Sequence, residues 1–315
     1  TEILIPSDTA PPPTETPIPA SPTPLPTETP QPDWLAVAAA GVATAVGGGG
    51  GQLAFVSERD RNAELYKMGL GGSPVERLTV ERSADTAPAW SPDGTRIAFV
   101  SERYGAQDIF ILETATGTLR RLTQEETRDY EPAWSPDGRW LAFASERDGN
   151  PEIYVYSFAG RTFNRLTNHF AIDTEPTWSP DGKSILFTSD RGGSPQIYRV
   201  GAGGGALERV SFNGNYNARP QLAPDGRTLV MVHRGGGGGF SIASQDLANK
   251  DFRLLSDSAL DESPTVAPNG AMVMYTTKRG GRSVLAVVSI DAGTRVLLPA
   301  SASDVREPAW SPFLR

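Results

Sequence analysis

The sequence predicts an all-β fold, a six-bladed β-propeller, and three observations carry the prediction. Ser-Pro-Asp-Gly or a close variant places prolines at 92, 136, 180, 224 and 268, and a last Ser-Pro puts Pro312 on the same 44-residue step. Short apolar runs flank every one of these turns, and helical periodicity is nearly absent. A repeat of roughly 40–50 residues holding four short strands is the mark of a propeller blade.

The stretch EPAWSPDGRWLAFASERDGNPEIYVY, residues 131–156, shows one unit. Strand A (EPAWS) meets a tight turn in which Pro136 presets φ, and Asp137 and Gly138 suit the remaining corners. Strand B (WLAFAS) follows at once, then a polar turn (ERDGNP), strand C (EIYVYS), a glycine turn and strand D (FNRLT). A single hairpin this short is not stable alone, so the units must pack on one another. A second proline keeps the step at 88, 132, 176, 220, 264 and 308. Three further rows do the same: Phe55, Phe99, Phe143, Phe187, Met231 and Tyr275; Leu65, Ile109, Ile153, Ile197, Ser241 and Leu285; Leu78, Leu122, Leu166, Val210, Leu254 and Leu298.

Ring closure follows from the ends of the pattern. QLAFVSE at 52–58 is a B strand with no A strand before it, and REPAWSP at 306–312 is an A strand with no B after it. Together they make a sixth, composite blade that hides two open edges. The domain boundaries expected are therefore a tail or linker at 1–51 and a propeller at 52–315.

Residues 1–33 hold eleven prolines, five acids and no Lys or Arg. Such a composition cannot bury a core and favours extended polyproline II or disorder. The run WLAVAAAGVATAV at 34–46 is too short to span a bilayer, and reads as an edge strand or a collapsed remnant. Glycine runs at 47–51 and 235–239, with the invariant step, also fit a recombined or designed chain.

Composition excludes several functions. The chain has no cysteine, which rules out disulfides, thiolate metal sites and a cysteine nucleophile. A net charge of −8 argues against nucleic acid, whose phosphates need clustered Lys and Arg. The only histidines are His169 and His233, no Gly-x-Ser-x-Gly or His-Glu-x-x-His is present, and no enzyme activity is expected.

The tandem PAWSPDG…IAFVSER units resemble the PD40 repeats of the TolB family. From about 173 onward, DTEPTWSPDGKSILFTSDRGGSPQIYRV, NGNYNARPQLAPDG, LDESPTVAPNGAMVMY and VREPAWSPFL resemble that family's carboxy-terminal propeller more closely. The resemblance implies a periplasmic or exported, non-enzymatic scaffold of the Tol-Pal system. It implies binding of the peptidoglycan-associated lipoprotein Pal, with roles in outer-membrane integrity, cell division and bacteriocin import. The family's TolA contact is not carried over, because a Pro-rich tail stands where the family has an α/β domain. A monomer is expected. The other reading is a generic PD40 propeller, serving as a sensor ectodomain or as the accessory domain of a prolyl-oligopeptidase-like hydrolase.

Candidate contact residues come from the segments leading into each strand A, which should meet the mouth of the central channel. Three residues before the strand proline stand Asp85, Asp129, Asp173, Asn217, Asp261 and Val305. A feature present in nearly every unit more often builds the unit, here by accepting backbone hydrogen bonds at the loop. One residue before the proline stand Ala87, Glu131, Glu175, Arg219, Ser263 and Glu307, a set that varies. The expected partner-binding residues are Glu131, Asp173, Glu175, Arg219, Asp261, Glu262, Arg306 and Glu307, with TEPTW, LDESP and REPAW matching the family's pattern there. A carboxylate collar could also hold calcium, but clustered ligand spacing is lacking and no cofactor is expected. Trp90, Trp134, Trp178 and Trp310 read as inter-blade core, and Arg59, Arg103, Arg147, Arg191 and Arg279 as unit architecture.

Overall fold

In a computed structural model, residues 51–70, 74–236, 238–298 and 303–312 are described. The Pro-rich segment 1–33 and the apolar run 34–46 lie outside the described residues.

Six four-stranded antiparallel sheets make up the fold. The innermost strands are Val305–Trp310, Asp85–Trp90, Asp129–Trp134, Asp173–Trp178, Tyr216–Leu222 and Glu262–Val266, for blades one to six in turn. Blade one is composite: Val305–Trp310 pairs antiparallel with Gln52–Ser57, with Leu53 opposite Trp310 and Ser57 opposite Val305. The amide of Ser311 donates to the Gln52 carbonyl at 2.8 Å, and the Ser311 hydroxyl accepts from the Gln52 amide at 2.7 Å.

The Pro-Asp-Gly turns form for a local reason. In SPDGT the Ser91 hydroxyl and the Thr95 amide both donate to Asp93 Oδ1, at 2.5 and 3.0 Å, and Gly94 takes φ 71°. The short acid closes the turn on itself, and glycine accepts the left-handed corner without Cβ strain. The core lies between neighbouring blades: Trp134, Leu141 and Phe143 of blade three pack on Ala98, Ile109 and Ile111 of blade two. The tryptophans also tie blades together, since Trp90, Trp134, Trp178 and Trp310 each donate Nε1–H to an inner-strand carbonyl of the preceding blade at 3.1–3.2 Å.

Two expectations change here. In blade five the 44-residue rows slip by one. Met231 faces Ala243, whereas Phe187 faces Tyr198 and Tyr275 faces Ala286. Ile242 and Leu255 therefore fill the core in place of Ser241 and Leu254, and Leu254 is 52% exposed. The glycine-rich turn adds one residue to the hairpin, and the loop before Asp261 gives it back, so the proline step hides the shift. The second change concerns the acids three residues before each proline. Asp85, Asp129 and Asp173 are fully buried and accept guanidinium bonds from Arg103, Arg147 and Arg191, not backbone bonds of the loop. Each arginine also lies over an aromatic ring of its blade, Arg103 at 4.7 Å from Phe110 and Arg147 at 4.8 Å from Tyr154. Arg279 leaves this row and is exposed, because the hairpin of blade six extends to pair it with Arg282.

Candidate functional site: the ring at the channel mouth

Each innermost strand carries a β-bulge at the same place, between residues such as Thr86 and Ala89 or Thr174 and Thr177. At each bulge sits a non-glycine residue in the left-handed region: Ala87, Glu131, Glu175, Arg219, Ser263 and Glu307, with φ of 51–57°. An L-residue pays roughly 1–2 kcal/mol for that conformation. The prolines that follow need no ladder donor, as suits an inner edge strand. The bulge turns these six side chains into the channel, where with the six prolines they line a cavity of about 140 Å³.

The ring is held by bonds between blades. Glu307 Oε2 accepts the Ala87 amide at 2.6 Å, Glu131 Oε2 the Glu175 amide at 2.7 Å, and Glu175 Oε2 the Arg219 amide at 2.8 Å. The Glu307 amide donates to Thr276 Oγ1 at 3.1 Å, and Thr188 Oγ1 donates to Glu175 Oε2 at 2.7 Å. Glu175 also forms an ion pair with Arg219 at 3.2 Å. Three carboxylates share this narrow space with one guanidinium. Burial, and then the nearby Glu175 charge, push Glu131 up to about 7, against the pull of Arg219. Burial works against the Arg219 charge, but Glu175, Glu131, Glu307 and Glu262 outweigh it and raise its pKa above the ordinary arginine value.

Of the sequence-expected residues, Glu131, Glu175, Arg219 and Glu307 come together in this ring. Arg306 stands beside it, half-buried, bonded to Glu58 at 2.5 Å and to Glu307 at 3.5 Å. Glu262 is exposed on the rim. Asp173 and Asp261 are a correction: both are fully buried, Asp173 under Arg191 and Asp261 under the Ser258 hydroxyl, so neither presents a surface to a partner. Their side chains turn into the blade because only the left-handed residue, two positions on, is turned to the channel.

The sequence reading missed the apolar part of the mouth. Tracing the antiparallel strands puts the D–A and B–C loops at one end of the ring, beside the left-handed residues. Val80, Phe170, Ile172, Phe212 and Leu260 sit in D–A loops and Tyr104 ends the strand Arg96–Tyr104, each about half exposed or more, with Phe170 at 88%. The signal was present as single apolar residues inside polar loops, such as TNHFAID and SFNGN. A larger cavity of about 800 Å³ lies between blades three and four, lined by the turn residues Pro136, Asp137, Pro180 and Asp181. It belongs to the opposite end, where the repeating turns stack, and holds no group from the ring.

His233 hydrogen-bonds Asn217 at 2.9 Å and leans on Phe252, and burial lowers its pKa. Among the described residues no group of His, Asp and Glu is spaced to hold a metal ion.

Residues 36–132 and 124–314 match the family model of the TolB beta propeller domain. The chain belongs to this family. The crystal structure of TolB from Acinetobacter baumannii superposes with a TM-score of 0.77 at 39% identity, covering 83% of this chain and 67% of that one. The Tol-Pal system protein TolB of Pseudomonas fluorescens is 52% identical over 84 residues, which is 26% of this chain and 19% of that protein. That of Pseudomonas aeruginosa has the same identity and extent. The chain thus matches about a fifth of the length of these curated relatives. An oligogalacturonate lyase in complex with manganese, at 16% identity and a TM-score of 0.59, shares the fold alone.

Proposed function

We propose that this propeller is a non-enzymatic protein-binding scaffold of the Tol-Pal type, acting in the periplasm or an equivalent exported space. Its partner in this reading is a Pal-like peptidoglycan-associated lipoprotein, docked over the channel mouth. The roles that follow are outer-membrane integrity, cell division and bacteriocin import. The observation that carries the reading is the ring. Six positions have one backbone conformation but hold Ala, Glu, Glu, Arg, Ser and Glu, so the bulge does not dictate the side chain. Charged residues there, with exposed apolar side chains such as Phe170 and Ile172 in loops at the same end of the ring, give the polar and apolar surface that a protein partner can bury.

Glu262 provides the clean test, because Glu175 also bonds the neighbouring blade and its removal disturbs the ring. Titration calorimetry with the soluble domain of a Pal-like lipoprotein should show Glu262→Lys weakening binding by about 1–3 kcal/mol. Lys183→Glu, in the turn at the opposite end, is the control. Equal affinity for all three proteins would remove the mouth as the site, and no binding by the wild type would remove the Pal reading.

A further inference from the structure

The chain holds two Asn-Gly pairs, and the fold treats them in opposite ways. Asparagine before glycine is chemically weak, because no Cβ on the next residue shields the side-chain amide carbon from the following backbone nitrogen. Attack requires that this nitrogen be free of other bonds and that the side chain be able to turn towards it.

Asn269 and Gly270 sit in the A–B turn of blade six, which carries Asp-Gly at 93–94, 137–138, 181–182 and 225–226. The Gly270 amide donates to the Ala267 carbonyl at 2.8 Å, and Asn269 Oδ1 accepts the Ala271 amide at 3.0 Å. Nucleophile and electrophile are both engaged.

Asn213 and Gly214 lie in the D–A loop that enters blade five, at the mouth end of the ring, and both are exposed. Among the described residues the Gly214 amide has no acceptor and the Asn213 side chain makes no hydrogen bond. The backbone around them is nevertheless anchored. The Asn213 carbonyl accepts Asn217 Nδ2 at 2.7 Å, and the Asn215 amide donates to the Arg234 carbonyl at 3.2 Å. Nor can the glycine be exchanged: it takes φ 69°, and a Cβ there would stand 2.3 Å from His233 Cε1 and 2.6 Å from the Arg234 carbonyl oxygen. The fold thus requires the very residue that leaves Asn213 open to attack.

We propose that Asn213 is a self-modifying site, at which the mouth loop of blade five gains a negative charge without any enzyme. The Gly214 nitrogen bonds to Asn213 Cγ, and the side-chain nitrogen leaves as ammonia, taking the proton that Gly214 gives up. Water then opens the succinimide ring by breaking one of its two C–N bonds, which leaves aspartate or isoaspartate. In isoaspartate the carbonyl that Asn217 holds becomes a carboxylate, next to the 2.9 Å contact of Asn217 Oδ1 with His233 Nδ1. Either product sets its charge beside the exposed Phe212.

The test ages the whole chain in mildly alkaline buffer and follows the exchange of amide for acid by mass spectrometry. Trypsin puts the two pairs on separate peptides, 210–227 and 254–278, and fragmentation locates the change. In the folded chain Asn213 should convert at least about fivefold faster than Asn269, whose turn must first give up a backbone hydrogen bond. In urea the two rates should converge. Asn269 converting as fast as Asn213 in the fold, or folding slowing both alike, would overturn the site. Asn213→Gln should abolish conversion of peptide 210–227, and persistence there would move the site to another asparagine. Aspartate and isoaspartate should both accumulate; aspartate alone would mean direct attack by water and remove Gly214 as the nucleophile. The ring-proton signals of His233 should shift as isoaspartate forms while those of His169 stay, and an unmoved His233 would overturn the link from Asn213 through Asn217.

Discussion

Glu131 shows how one residue can be both useful and costly. It sits left-handed in a confined ring, accepts the Glu175 amide, and is pushed up to about 7 by burial and by the Glu175 charge. The unfolded chain ionises this group near the ordinary glutamate value, several tenths above 4. Between that pH and about 7 the folded state holds more protons than the unfolded one, so stability from this group falls as pH rises. It is fully lost above about 7. Glu131→Gln keeps an acceptor for the amide and removes the charge. Its melting temperature should match the wild type near pH 4 and exceed it at pH 8, by about 1–3 kcal/mol of stability. His233 runs the other way: its lowered pKa means that stability is lost as pH falls below its unfolded value. The difference between variant and wild type cancels that contribution. A gap that does not widen with pH would show that Glu131 carries no such burden.

Within a blade, the unit that matters is the buried acid with its arginine. Desolvation raises Asp129 in spite of Arg147 at 3.1 Å, and raises Asp85 in spite of Arg103 at 2.9 Å. Such pairs add little net stability, but losing one partner strands a buried charge. Arg147→Met should cost about 3–5 kcal/mol in chemical denaturation, and adding Asp129→Leu should recover much of it. A double variant no better than the single one would contradict this. Blade five supports the logic from the sequence side. Gly235 stands where the arginine would be, and the acid that would face it has become an amide: Asn217 Nδ2 donates to Gln196 Oε1 of blade four at 2.8 Å. The strands, turns and blade count were legible because prolines and glycines mark them at fixed distance. The one-residue slip in blade five was not, because an added turn residue and a shortened loop cancel within the repeat. The ring was legible as a varying column of charges. Its separation from the buried Asp173 and Asp261 depended on a left-handed bulge, which charged residues do not announce as glycine does.

For the whole molecule, closure is the decisive contact. Removing Val305–Trp310 opens the edge of Gln52–Ser57, exposes the Trp310 packing on Leu53, Met274 and Val287, and deletes the Glu307 bond to Ala87. Truncation after residue 304 should lower the melting temperature by 10 °C or more, on the order of a few kcal/mol. Trp310→Phe, which loses only the bond to the Thr265 carbonyl and part of the packing, should fall between. A truncated chain melting with the full one would mean that the blades hold without a seal.

The bonds of the channel ring do not run all the way round. Carboxylates or hydroxyls link blade six to one, one to two, three to four and four to five. Ala87 and Arg219 offer no carboxylate to the amides of Glu131 and Ser263, and Val100 and Val232 stand where Thr188 and Thr276 supply hydroxyls elsewhere. Across the five–six seam the ring has only the long Arg219 Nη1–Ser263 Oγ bond, at 3.4 Å, and the two–three seam relies on the Trp134 bond to the Ala89 carbonyl, so the amides of Glu131 and Ser263 are the least held of the six. Amide hydrogen exchange should read this directly, with Glu131 and Ser263 exchanging at least about tenfold faster than Ala87, Glu175 and Arg219, as opening concentrates where few bonds cross. Uniform protection around the six positions would mean that the disc moves as one piece.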